Sequence, residues 1–179
     1  MTIETLAQQG KTGTHNGLAS IETSKLKQIR DANIRACFKH MDEMRHHREF
    51  VAQIYGKRFI DDAASQSVNA TWYTLESSER SIIWIMQASD KEEDYSILKE
   101  TVRKKVRMII SIGDNGEAIR QTFGEIVGSI IEVKDIEEAV RRALYNNIER
   151  ATVIYSPSSE SDAAAATLGE RYIHYVNEL

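Results

Sequence analysis

The apolar residues change their rhythm once along the chain, near His47. From about Gly17 to Met44 they recur every three or four positions, as Leu18, Ile21, Leu26, Ile29, Ile34, Cys37, Phe38 and Met41, between charged residues. That spacing predicts amphipathic helix, read as two helices broken near Asp31. After His47 the runs shorten. "FVAQIYGKRFIDDA" predicts two short strands turning at Tyr55-Gly56-Lys57. A regular alternation follows: helix over about Val68 to Ser77, strand Ser81 to Met86, helix Tyr95 to Lys105, strand Val106 to Gly113, helix Gly116 to Phe123 and strand Ser129 to Val133. Asp135 then opens the helix "DIEEAVRRALYNNI", with acids in its first turn where the helix dipole favours them. The strand "ATVIYS" and a last helix to Leu179 complete the chain.

Short, continuously apolar strands that each lead into an amphipathic helix define an α/β fold. The expectation is a Rossmann-like, mostly parallel sheet with helices on both faces, preceded by a short helical amino-terminal extension. Its crossovers are expected to be right-handed. In such sheets ligands gather outside the carboxyl ends of the strands. That directs attention to four loops, "DDAASQS", "QASDKEED", "GDNGEA" and "SPSSESD".

Composition narrows the classes. A chain of 179 residues holds one full domain and a short extension, and 41% hydrophobic with 28% charged residues is ordinary for a globular protein. No apolar run approaches bilayer length, and the first residues lack a basic and apolar leader. A cytoplasmic protein with no membrane partner is expected. The net charge of -4, with bases interleaved among acids, gives no general attraction to nucleic acid, so no nucleic-acid partner is expected. The single cysteine, Cys37, fits a reducing compartment and is read as core packing on the stripe with Ile34, Phe38 and Met41.

The candidate chemistry is sparse. Gly10, Lys11 and Thr12 are the last letters of a phosphate-binding loop, but the glycine such a loop needs five positions earlier is Thr5, and no strand-length segment precedes it. The stretch is read as a polar loop. Asp61 and Asp62 suit a metal or a ribose, but two acids closing a strand more often cap a helix in a solvated turn. Lys91, among acids, suits a carboxylate or a phosphate. "IGDNGEAI" offers amides ahead of a helix, and the serines after Pro157 suit capping. His40, His46 and His47 lack metal-ligand spacing, so no metal site is expected. No Ser-His-Asp or Cys-His nucleophile pattern occurs, and no catalytic residue is assigned.

Taken in order, these segments resemble the carboxyl-terminal domain of the Mur ligases of peptidoglycan synthesis, above all the D-glutamate-adding members. "GTHN" (Gly13 to Asn16) stands where the family has G-x-H-N, and "HREFVA" (His47 to Ala52) where it has H-R-x-E-F/V. "DDAASQS" matches the strand end N-D-S-K-A-T-N, "QASDKEEDYS" the loop with a lysine before D-Y/F-S, and "SPSSESD" with Glu170 and Arg171 the motif S-P-A-C-A-S-F-D with its distal E-R. The resemblance covers nearly everything from Gly13 onward. It assigns residues 1–45 to the end of a central domain and 46–179 to the carboxyl-terminal domain. His47, Arg48 and Asp62 are implied nucleotide contacts, and Lys91, Ser161 and Leu168 implied contacts to the acceptor amino acid.

The departures shape the functional expectation. The family's N-D-S-K lysine is Ala64, the following threonine is Gln66, a glycine pair has become Gln87 and Ala88, the last-motif cysteine is Ser159, and the aromatic of the glutamate pocket falls on Leu168. One charge-assisted contact is worth roughly 1.5–3 kcal/mol, so Ala64 alone implies weaker amino-acid binding. Phosphoryl transfer rests on a P-loop lysine and magnesium. With the P-loop domain expected to lie outside these residues, the chain is expected to be inactive alone. ATP and magnesium would enter only with a separate Mur-ligase-like ATPase chain. The alternatives are one subunit of a split ligase, or a non-catalytic domain that binds another protein.

Overall fold

The computed structural model describes residues 21, 23–39, 44–79, 81–87, 93–113, 116–159 and 165–179. The chain divides into two compact units, Met1–Lys39 and His40–Leu179. In the first, residues 23–38 form one continuous helix, without the break expected near Asp31. No glycine or proline interrupts this stretch, and the Asp31 carboxylate accepts from the Arg30 guanidinium at 2.9 Å rather than competing for backbone N–H groups. Ile34 is buried, but Cys37 is exposed, which overturns its reading as core. Three residues along, it has rotated about 60° away from Ile34 around the helix.

The second unit is built on a six-stranded sheet: β1 (Glu49–Ile54), β2 (Lys57–Asp61), β3 (Ile82–Gln87), β4 (Val106–Ile112), β5 (Ile130–Val133) and β6 (Ala151–Tyr155). The spatial order is β1-β2-β6-β3-β4-β5, with β1 antiparallel to β2 and every other pair parallel. The expected mostly parallel α/β sheet is therefore the fold. Tyr55 and Gly56, with φ of 46° and 81°, make a two-residue turn with both φ positive, whose twist suits a hairpin. Lys57, expected in that turn, instead begins β2.

The helices are α1 (Val68–Ser77), α2 (Lys99–Lys105), α3 (Gly116–Phe123), α4 (Ile136–Leu144) and α5 (Ala165–Asn177), with a 3-10 turn, Tyr95–Leu98, ahead of α2. Alternate residues of each central strand serve opposite layers. Ile83, Ile85, Ile110, Val153 and Tyr155 pack with Ala139, Val140 and Ala143 of α4 and with Leu168, Tyr172 and Val176 of α5. Trp84, between Ile83 and Ile85, points the other way and meets Phe123 of α3 edge-on, with centroids 5.9 Å apart. The helix opened by Asp135 stops at Leu144, where the buried Lys57 Nζ donates to the Ala143 and Leu144 carbonyls at 3.1 and 2.6 Å and to Asn146 Oδ1 at 3.0 Å. A cation thus satisfies carbonyls that have no partner within the helix. No helix among the described residues is long and apolar enough to cross a membrane.

Candidate functional site

The parallel strands all end on one edge, and the last crossover, through α4, carries the chain back from β5 to β6 between β2 and β3. At that edge lies a cleft of about 210 Å³. Gln87 closes β3 and Tyr155 closes β6; Lys134 and Asp135 come from the junction of β5 with α4, and Leu168 and Arg171 from α5. Asp135 caps α4, its carboxylate accepting from Glu138 N at 2.9 Å. Tyr155 is completely buried, stacked on Tyr172 with centroids 5.3 Å apart. Its hydroxyl has no hydrogen-bond partner among the described residues. Burial pushes the Tyr155 phenol well above its ordinary range, the Asp61 charge adds to this, and the Arg171 charge opposes it.

Beside the cleft, where β2 ends, the two adjacent acids lie in the interior, not in the solvated turn expected of them. The cap of α1 is Ser67, whose hydroxyl accepts from Ala70 N at 3.2 Å. Asp61 Oδ2 lies 2.5 Å from His46 Nδ1, and Asp61 Oδ1 accepts from Ala63 N at 3.0 Å. Asp62 Oδ1 accepts from Arg48 N at 3.2 Å. Burial pushes the Asp62 carboxyl up to about 7, against hydrogen bonding from Ser65, Ser156, Thr74 and the Arg48 backbone. His46 and Arg48 sit in the left-handed region, with φ of 62° and 53°, which the bonds of their backbone N–H groups to Glu49 Oε2 and Asp62 Oδ1 hold in place.

His46, Glu49 and Asp61 each bring one ligand-type atom within 4.8 Å of the others. Two ligands of one tetrahedral zinc ion stand about 3.3 Å apart. The 2.5 Å between His46 Nδ1 and Asp61 Oδ2 is instead a hydrogen-bond length, so these residues form a buried polar pair as they stand.

The residues singled out in the sequence fall into three groups. His47, Arg48 and Asp62 come together next to Tyr73: the His47 ring stacks on it at 6.3 Å, and the Arg48 guanidinium carbon lies 5.6 Å from its centroid. His47 and Asp62 expose 1% and 0% of their surface, and Arg48 is half-buried. Leu168 lines the cleft. Lys91, Ser161, the Gly10-Lys11-Thr12 stretch and "GTHN" lie outside the described residues. In "GDNGEA", a side chain at Gly116 would collide with the Glu132 carboxyl, so a carboxylate already stands near the start of α3. Sequence reading passed over Lys134 and Tyr155, and it set His46 aside for want of metal-ligand spacing. A tyrosine closing an otherwise apolar strand, directly ahead of Ser156-Pro157, was the available signal for Tyr155.

This sheet, with its antiparallel edge strand and its cleft at the carboxyl ends, is the fold of Mur ligase domains. The murein peptide ligase of Psychrobacter arcticus superposes with a TM-score of 0.53 over 75% of this chain and 30% of its own, at 12% identity. The UDP-N-acetylmuramate–alanine ligase of Thermotoga maritima does so at 0.50 over 80% and 36%, at 11% identity. Sequence places the chain more closely. It is 35% identical to the UDP-N-acetylmuramoylalanine–D-glutamate ligase of Christiangramia forsetii over 161 residues, 90% of this chain and 36% of the relative. It is 30% identical to the same-named ligase of Bacteroides fragilis over its whole length and 41% of the relative. No protein-family model matches the chain. The chain is thus similar to the D-glutamate-adding Mur ligases and has the fold of a Mur ligase domain, and it spans about two fifths of the length of these relatives.

Proposed function

We propose that the chain is the acceptor-side domain of an ATP-dependent acid–amino-acid ligase of the D-glutamate-adding kind, working in the cytoplasm in peptidoglycan synthesis. The observation that carries this reading is the cleft: it lies at the strand ends, and it contains both Leu168, at the position of the family's glutamate-pocket aromatic, and Arg171 of the distal E-R. Such a domain orients the amino acid that attacks an activated carboxylate. Activation itself needs a triphosphate held by a P-loop and magnesium, and the described residues present no such set. On this reading the described residues orient the acceptor, and the activating step belongs to a P-loop domain outside them.

A second reading, a non-catalytic domain that binds another protein, draws on a specific observation. Ala64 and Gln66 replace the family's polar contacts, while His47 and Asp62 are turned inward. Thermal shifts of the chain with ATP, with the UDP-N-acetylmuramoylalanine precursor and with D-glutamate separate the two. A ligand at a hundred times its dissociation constant stabilises the fold by about 2.7 kcal/mol. The ligase reading expects a shift with D-glutamate, and the interaction reading expects none with any of the three.

A further inference from the structure

Residues 44–49 make a strap with a strained backbone over two buried acids. Met44, Arg45 and Glu49 are exposed, whereas His46 and His47 between them are buried. His46 and Arg48 take the left-handed conformation that side chains rarely adopt, with φ of 62° and 53°. Such a backbone persists only where its surroundings hold it. Here two carboxylates do so: His46 N donates to Glu49 Oε2 at 3.1 Å and Arg48 N to Asp62 Oδ1 at 3.2 Å. Ala64 N donates to the His46 carbonyl at 2.9 Å, and His46 Nδ1 stands against Asp61. The titratable and charged groups around Asp62 are Asp61 beside it on β2; His46, His47, Arg48 and Glu49 of the strap; Tyr73 of α1; Tyr155 at the end of β6; and Tyr172 of α5. Burial keeps the phenols of Tyr155 and Tyr172 well above their ordinary range, so they stay neutral while the carboxyls titrate. An ionised carboxylate is costly inside a protein unless it is paired or hydrated. The strap, bonded to Asp62 on one side and exposed on the other, is the layer whose opening hydrates it.

We propose that residues 44–49 form a proton-operated latch, shut over an inward-turned His47 while Asp62 keeps its proton and released when that proton leaves, which brings His47 and Arg48 to solvent. Release gives up the stack of His47 on Tyr73 and the contact of the Arg48 guanidinium with the same ring. In return it relieves two strained residues and hydrates a buried charge. Asp61 stands where the family pattern N-D-S-K has its asparagine, so the His46–Asp61 pair under the latch belongs to this chain rather than to that pattern. The inference rests on the ligase reading only in what the latch serves, since His47 and Arg48 are contacts that the resemblance implies for a nucleotide.

The test is residue-resolved amide hydrogen exchange of the full chain by NMR between about pH 5 and 8, each rate divided by the intrinsic rate at that pH, for wild type, Asp62→Asn and Glu49→Gln. The reporters are the amides of His47, Arg48 and Ala64, with those of β3 as the measure of global unfolding. Strap amides are expected to open more readily than β3 at every pH. Their opening should rise about tenfold per pH unit and level off above about 7, because the shut form holds the Asp62 proton up to about 7 and the opened carboxyl has its ordinary value. Asp61, raised chiefly by burial, adds in the same direction. Asp62→Asn should make the rise smaller by about tenfold per unit. Glu49→Gln should increase opening about threefold to tenfold at every pH while keeping the rise. A merely structural Asp62 would move strap and β3 together. The proposal is overturned if the strap opens only with β3, if its opening does not rise with pH, or if Asp62→Asn keeps the full rise. No nucleotide enters this measurement, so its failure leaves the ligase reading standing. A pH-dependent strap in a chain that does not bind ATP at any pH would keep the latch and remove its nucleotide role.

Discussion

His46 Nδ1 stands 2.5 Å from Asp61 Oδ2, both side chains buried, beneath a glycine of α5. A side chain at Gly169 would overlap His46 Nδ1 and come within 2.6 Å of Asp61 Oδ2, so the helix approaches the pair only because position 169 has none. Gly169→Ala gains roughly 1 kcal/mol of helix propensity. It also forces a buried ring and carboxylate apart, an overpacking cost of about 1–3 kcal/mol before the lost hydrogen bond is counted. Net destabilisation is the expected result, read from the urea midpoint at constant m-value.

The same pair predicts the effect of removing one partner. His46→Ala leaves Asp61 buried with only the Ala63 amide as hydrogen-bond donor, and breaking a buried pair in this way costs about 3–5 kcal/mol. In a double-mutant cycle with Asp61→Asn, the two substitutions should be strongly non-additive, since Asn at 61 leaves no uncompensated charge.

Asp62 sets a pH dependence. Its folded carboxyl holds its proton up to about 7, against 3.8 as the ordinary value. Between about pH 4 and 7 the native state therefore binds more protons than the unfolded state, and this group's contribution to stability falls as pH rises through that window, by about 4 kcal/mol at most. Asp61, raised chiefly by burial, acts in the same direction. Asp62→Asn can still accept from Arg48 N. It should flatten the stability–pH curve and make the chain more stable than wild type at about pH 8. A curve of unchanged slope in denaturant titrations at stepped pH would refute the assignment.

Lys57→Met removes the donor that closes α4. Two backbone carbonyls and the Asn146 side chain lose a charged partner at a buried site, and the expected cost is about 2–3 kcal/mol. Hydrogen exchange should localise the loosening to the last turn of α4, next to residues 143–146.

Period and composition were enough to predict the sheet because its centre is buried on both faces: Ile82 through Met86 form an unbroken apolar run, and that run has one structural meaning between helices of the right length. The ends of elements were harder. Lys57 reads as a turn residue and Tyr145-Asn146-Asn147 as helix, yet both boundaries are set by one tertiary contact, the lysine reaching from β2 to the end of α4. The candidate site was only partly foreseeable for the same reason. Leu168 was singled out through a family pattern, and it lines the cleft. Asp61 and Asp62 look like a polar turn in one dimension. That they are interior depends on His46, fifteen residues earlier, and on Gly169, more than a hundred residues later.

The most direct test of the proposed function, an acceptor-side domain that works with a P-loop domain outside these residues, is phosphate release from ATP in the presence of the UDP-N-acetylmuramoylalanine precursor and D-glutamate. It is measured for the full chain alone and with the remaining domains of a D-glutamate-adding relative supplied as a separate polypeptide. The expected result is no release by the chain alone and D-glutamate-dependent release when the two are mixed. Release by the chain alone would contradict the account.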